Sequence, residues 1–185
     1  ILYNFPSNPT GGNVNPQQRD ELVEFARRND LWIITDEVYD RIVYDAPHVS
    51  FIGAGYDKVI MVQSFSKTFA MTGWRIGYLL SPDQEAMEQL TKMQYYVTAC
   101  SNDAMQHAVL EALEKAPDYP ESMRVEFKSR RDLICTRLNA MPGVSCHIPT
   151  GAFYVFPKID VPGMTSEQIA MALLEGGVLC SPGTA

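Results

Sequence analysis

Ser64-Phe65-Ser66-Lys67-Thr68, with Arg75 eight residues beyond the lysine, gathers an amine, hydroxyls and a guanidinium into one short stretch. The apolar run Val59-Ile60-Met61-Val62 leads into it and predicts a short buried strand. A half-buried lysine loses solvation of its charged form, which frees the amine to attack a carbonyl. Arg75 heads a second apolar run, Trp74 to Leu80. A guanidinium there calls for an anion, because an unpaired buried cation is costly. Amine, hydroxyls and guanidinium together suit a ligand with both an aldehyde and a phosphate, as pyridoxal phosphate has. Taken alone, the same string also reads as a surface turn, so the elements around it must decide.

Those elements alternate. Ile1 to Phe5 reads as a strand, and Pro6-Ser7-Asn8-Pro9-Thr10-Gly11-Gly12 as a loop of turn formers. Asn15 caps a helix with Pro16 at its first position; Leu22, Val23, Phe25 and Ala26 give it an apolar face. Leu31 to Thr35 is a second strand, apolar throughout as when both faces are covered, and it ends at Asp36-Glu37-Val38-Tyr39. Lys58 to Gln63 is the third strand, and Trp74 to Leu80 the fourth. This order predicts an α/β fold with a largely parallel sheet and flanking helices. Three strands then end in polar clusters near Asn8, at Asp36 and at Ser64, and ligands of open parallel sheets bind beyond the carboxyl ends of strands. Asn8, Asp36, Tyr39 and Lys67 are expected to converge there.

Helices follow. Ser81, with Pro82 next and Gln84 completing a capping box, starts one whose stripe is Met87, Leu90, Met93 and Val97. Residues 103–115 form another, and about 120–140 a long third whose Arg124, Lys128, Arg130, Arg131 and Arg137 make a solvated or inter-domain face. Val144 to His147, Ala152 to Phe156 and Val178 to Cys180 read as short strands around a helix from Thr165 or Ser166 to Gly176. This predicts two units: residues 1–117, part of a large domain, and 118–185, an incomplete small α+β domain. The opening inside an apolar strand, without an initiator methionine, suggests a piece of a longer polypeptide.

The formal net charge of −7 argues against a general nucleic-acid or anionic-membrane surface but leaves a local anion pocket open. No apolar run approaches a membrane span and no signal peptide is visible. Cys100, Cys135, Cys146 and Cys180 form no CxxC pair and read as reduced core thiols of a cytoplasmic protein. His48, His107 and His147 lack metal-ligand spacing, so they read as structural or surface residues and no metal site is expected.

Asn8-Pro9-Thr10-Gly11, Asp36-Glu37-Val38-Tyr39, Ser64-Phe65-Ser66-Lys67 and Gly73-Trp74-Arg75-Ile76-Gly77 stand in the order and approximate spacing of another group. The chain resembles fold-type-I, pyridoxal-phosphate-dependent class I/II aminotransferases over essentially all 185 residues. The resemblance implies that Lys67 holds pyridoxal 5'-phosphate as an imine and shuttles the proton at the substrate α-carbon. It implies that Asp36 pairs with the pyridinium nitrogen, that Tyr39 and Asn8 donate to the phenolic oxygen, and that Ser64, Ser66 and Arg75 hold the phosphate. Amino acid and 2-oxo acid substrates and a homodimer with shared pockets are implied as well. In this family part of the phosphate cradle and a ring stacked on the cofactor precede Ile1, and the arginine for the substrate α-carboxylate follows Ala185. Tyr154 and the turn from Pro149 to Phe153 resemble a small-domain segment that closes over the site. The Tyr95–Asn102 linker resembles the stretch that reaches a neighbouring subunit's site, and it carries no arginine. Two alternatives share the fold: an effector domain of a transcription regulator, and a lyase or synthase.

Overall fold

The computed structural model describes residues 1–184. β1 (Leu2–Asn4), β2 (Ile33–Asp36) and β3 (Val59–Ser64) run parallel in that spatial order, and β4 (Gly77–Leu80) closes the edge antiparallel to β3. α1 (Pro16–Arg28) forms the crossover from β1 to β2. Its start follows the expected chemistry: Asn15 accepts from the Gln18 amide, Gln18 reaches back to the Asn15 amide, and Pro16 needs no donor there. Val23 and Ala26 of α1 are buried against Ile33, Val59, Phe51 and Tyr56, which form the core on that face of the sheet.

The opposite face differs from expectation. Residues of β2 and β3 alternate between buried and more open, and Ile34 is 40% exposed. Leu31 to Thr35 is apolar in the manner of a strand covered twice, yet its second face is only partly covered, with Ile60 and Val62 half-buried and Ile34 open. The same holds for α3 (Gln84–Thr98), where Met93 and Val97 of the expected stripe stand 62% and 75% exposed. Asp83, rather than Ser81, caps α3: its carboxylate accepts from the Ala86 amide, while the Ser81 hydroxyl accepts from the amide of Asp83.

β4 is also shorter and differently entered than the apolar run suggested. Thr72–Trp74 form a 3-10 turn after α2 (Phe65–Thr68), and Arg75 then takes a left-handed φ of 53°. That turn folds the chain back on β3. At Gly77 an added Cβ would lie 2.5 Å from the Gln63 carbonyl oxygen, so only glycine lets the strands approach there.

α4 (Asp103–Lys115) and α5 (Tyr119–Asn139) lie where the spacing placed them. β5 (Val144–Ser145) pairs antiparallel with β6 (Lys158–Ile159), a partner not foreseen, and α6 (Ser166–Glu175) follows. Ala152 to Phe156 and Val178 to Cys180 are not strands. The first segment docks by separate contacts: Thr150 and Gly151 donate to the Gly11 carbonyl, Ala152 to Ile42, and Tyr44 to Thr150. Such backbone bonding to two different loops satisfies the segment without a ladder. Gly151 packs so tightly that a Cβ would fall 2.6 Å from that of Pro6. Of the four cysteines, Cys135 and Cys146 are buried as expected, with sulfurs 3.9 Å apart, whereas Cys100 and Cys180 are exposed. No helix among the described residues is long and apolar enough to cross a membrane.

One basic residue of α5 leaves the solvated face. Arg131 is buried, donates to Asp45 and to the Pro149 carbonyl at 2.8 and 2.9 Å, and lies 4.6 Å over the Tyr44 ring. Lys128 joins it on Asp45, and together they hold that carboxyl below the usual range. Arg131 thus ties α5 to two loops at once. Arg131→Ala leaves the Pro149 carbonyl without its donor and removes the cation over the Tyr44 ring, and it is expected to cost about 2–3 kcal/mol, the scale of losing charged hydrogen bonds from a buried group. A chemical-denaturation midpoint that drops at constant slope checks it.

Candidate active site

The carboxyl ends of β2 and β3 are adjacent because Asp36 stands in register with Asn4 on one side and Val62 on the other. Asp36, half-buried, closes β2, and its carboxylate accepts from the Val38 amide at 3.2 Å. This turn swings the chain so that Tyr39, only 2% exposed, points back beneath the strand ends. The Tyr39 hydroxyl is hydrogen-bonded to that of Tyr154, and it is raised far above the usual phenol range chiefly by burial, with the charge of Asp36 adding.

β3 delivers the lysine. Its last residue, Ser64, caps α2: the Ser64 hydroxyl accepts from the Ser66 amide at 3.1 Å and is 3.4 Å from the Ile76 carbonyl, to which it donates. Lys67 follows one turn later, half-buried. Its Nζ lies 5.8 Å from the centre of the Tyr39 ring and 5.6 Å from that of Phe153. Phe153 meets Tyr39 edge-on at 5.3 Å and is tilted against Tyr154 at 4.9 Å, so the amine rests against two rings, with Tyr154 packed beside them. An ammonium over aromatic faces is held by their quadrupoles without a counter-charge.

The structure therefore brings Asp36, Tyr39 and Lys67 into one cluster, with Ser64 and Ser66 on the turn that carries the lysine. Arg75 reaches the same corner through the chain: Ser64 is paired with Gly77, and Phe65 donates to Ile76. Its guanidinium is exposed and donates to the Thr72 carbonyl at 3.1 Å. Asn8 belongs to the neighbouring strand end, since β1 pairs with β2. It is exposed in the loop after β1, where its amide donates to Asn4. A cavity of about 600 Å³ bounded by Asp40, Tyr44, His48 and Arg124 contains none of these residues.

Phe153 lines the lysine, within the turn that resembles a segment closing over the site, though nothing in an apolar run marks which ring will do so. The partners of Glu37 escaped the sequence reading. Glu37 is 1% exposed and accepts from Thr35, the Phe51 amide and His48, at 3.2, 3.0 and 2.7 Å. His48, with its side chain 13% exposed, is thus a partly covered partner of Glu37. The neighbouring acidic pair Asp36-Glu37 was the available signal: two adjacent carboxylates at a strand end cannot both face solvent.

The chain is thus an α/β protein with a largely parallel sheet, and a lysine and a carboxylate stand at the carboxyl edge, where open sheets of this kind bind ligands. The chain belongs to the aminotransferase class I and II family, whose sequence model matches residues 1–185. It is 39% identical over 189 residues to the aspartate aminotransferase of Pyrococcus horikoshii, covering all of this chain and 48% of that protein. It is 37% identical to the aromatic-amino-acid aminotransferase 2 of Thermococcus litoralis, covering 49% of it. Among solved structures, the aromatic aminotransferase of Pyrococcus horikoshii superposes with a TM-score of 0.91 at 38% identity, over 99% of this chain and 50% of that one. The aspartate aminotransferase of Thermotoga maritima gives 0.86 at 35%, over 96% and 46%. The chain spans about half the length of the curated relatives it matches.

Proposed function

We propose that the protein carrying these residues is a pyridoxal-phosphate-dependent aminotransferase, moving an amino group between an L-amino acid and a 2-oxo acid. The observation that carries the reading is the Lys67 amine against Tyr39 and Phe153, beside Asp36, in a chain that matches this family from end to end. The donor set fits the cofactor: one amine for an aldehyde, one half-buried carboxylate for a ring nitrogen, and hydroxyls with a guanidinium for a phosphate. When bound, pyridoxal phosphate supplies the aldehyde and an electron-withdrawing ring. Lys67 would hold it covalently and would carry the proton at the substrate α-carbon. Asp36 would accept from the ring nitrogen and keep it protonated. Tyr39 and Asn8 would donate to the phenolic oxygen, and Ser64, Ser66 and Arg75 would hold the phosphate.

In the same reading, residues 1–117 belong to the cofactor-binding large domain and 118–185 to a small domain. The working unit is a cytoplasmic homodimer that binds neither nucleic acid nor membrane.

The test is borohydride reduction of the full-length protein with pyridoxal phosphate, followed by peptide mass spectrometry. Label concentrated on Lys67 is the expected result, and a full-length protein that takes up none there ends the reading. Arg75→Ala is expected to weaken cofactor affinity about tenfold or more, since a charge-assisted phosphate contact is lost. Equilibrium dialysis of the cofactor checks it, and an unchanged Kd removes Arg75 from the phosphate site.

A further inference from the structure

We propose that Tyr154 is a positioning residue for this reaction, its hydroxyl holding that of Tyr39 in the one direction useful for donation to the ligand. The inference rests on the aminotransferase reading but concerns a contact within the chain. The two phenolic hydroxyls are hydrogen-bonded across 115 positions of sequence. A phenol oxygen accepts as well as donates. If Tyr154 donates to the Tyr39 oxygen, the single Tyr39 proton is left to point away from Tyr154, toward the cluster of Lys67 and Asp36. Without that partner the Tyr39 hydroxyl turns freely about its C–O bond and a donor of fixed direction is lost.

Tyr154 is held where this matters. Its segment is bonded to Gly11 through Thr150 and Gly151, to Ile42 through Ala152, and to α5 through Arg131 and Pro149. The buried Tyr44 hydroxyl donates to Ala152 at 2.5 Å. Phe153 packs between Phe127 and the two tyrosine rings, at 5.1 Å from the first and 4.9 Å from Tyr154. None of these contacts uses the Tyr154 hydroxyl, so Tyr154→Phe removes one oxygen and leaves the anchoring intact. Preorganised donors aimed at a reacting group are worth more than donors that must be oriented during the reaction. The charged and titratable groups facing the Tyr39 hydroxyl are Asp36 from the end of β2, Lys67 from α2 and Tyr154 from the small-domain segment.

The experiment uses the full-length holoenzyme and a cycle of Tyr154→Phe, Tyr39→Phe and the double variant. The visible band of the bound cofactor is titrated with pH alongside kcat and KM. A firm donor on the cofactor's ring oxygen draws charge from it and weakens its hold on a nearby proton, so loosening Tyr39 moves the band's midpoint upward. Tyr154→Phe is expected to raise the midpoint and to lower kcat about three- to tenfold, the rate equivalent of one net hydrogen bond, with KM little changed. Both effects should vanish in the Tyr39→Phe background, because residues acting through one another are non-additive. In cofactor-free protein, ultraviolet titration of phenolate should show Tyr39 ionising at higher pH in Tyr154→Phe, since a bond donated by Tyr154 favours the Tyr39 phenolate; ionisation at lower pH would make Tyr39 the donor of that bond and overturn the proposal. An unmoved midpoint, or equal shifts with and without the Tyr39 hydroxyl, overturns the proposal. A wild-type holoenzyme with no visible band and no label on Lys67 overturns the aminotransferase reading itself, a result distinct from either.

Discussion

Lys67→Ala in the full-length protein is expected to abolish borohydride-trapped cofactor and to lower transamination at least about a thousandfold, the joint scale of losing a covalent anchor and a positioned base. The argument is geometric. Lys67 is the amine set within 6 Å of both the Tyr39 and Phe153 rings, so its removal takes the nucleophile and the proton carrier from the same point. Among the described residues no second lysine lies over these rings. Lys58, the nearest in sequence, is paired with Asp30 at the other end of β3. On the proposed reading Ser64, Ser66 and Arg75 would still offer phosphate donors, so a Lys67→Ala protein should retain measurable cofactor affinity while losing turnover. Single-turnover kinetics with amino acid, read beside dialysis, separates the two. A variant that keeps the wild-type rate would sink the assignment of Lys67, whatever the affinity.

How far such an assignment could be read in advance depends on which forces are local. Asp36, Ser64 and Lys67 were legible because apolar runs ending in polar residues mark strand ends, and strand ends of parallel sheets lie side by side. The capping box at Asn15 was legible for the same reason: its partners are three residues apart. The direction of β4 was not. It depends on Arg75 adopting a left-handed conformation, which residue type does not announce. The segment around Tyr154 was read as a strand from its apolar and aromatic content, but its backbone bonds go to Gly11 and Ile42, and such distant pairings leave no local trace. The stripe on α3 was correctly apolar and wrongly placed inside. Periodicity tells which face wants cover, not whether the chain supplies it. Ile34, Met93 and Val97 all stand open in a chain half as long as its relatives, and a strand apolar on both faces asks for the additional layer that a longer chain can supply.

Glu37→Ala is expected to cost about 3–5 kcal/mol of stability, the range for breaking a buried charged network by deleting one member. Removing the carboxylate leaves the buried Phe51 amide and Thr35 hydroxyl, and the partly covered His48, without that acceptor. The effect is also pH-dependent, and its sign is set by two opposed causes. Burial alone would raise the Glu37 carboxyl, but the bonds from His48, the Phe51 amide and Ser50 together outweigh it and hold the group below the usual range. A carboxyl lowered on folding stabilises the folded chain above its unfolded value, near about 4.3, and loses that contribution as pH falls through the lower folded value. The stability gap between wild type and Glu37→Gln should therefore be constant above roughly pH 5 and narrow toward pH 3. Denaturant titrations of the full-length protein across that window measure it. A Glu37→Ala loss under about 1 kcal/mol, the scale of an exposed ion pair, would mean that water enters and the network is not sealed. A gap that widens in acid would mean that burial, not hydrogen bonding, governs the group. Because Glu37 sits between Asp36 and Tyr39, the same network ties the loop at residues 48–51 to the turn that aims both at Lys67, so its loss should slow the reaction as well as soften the fold.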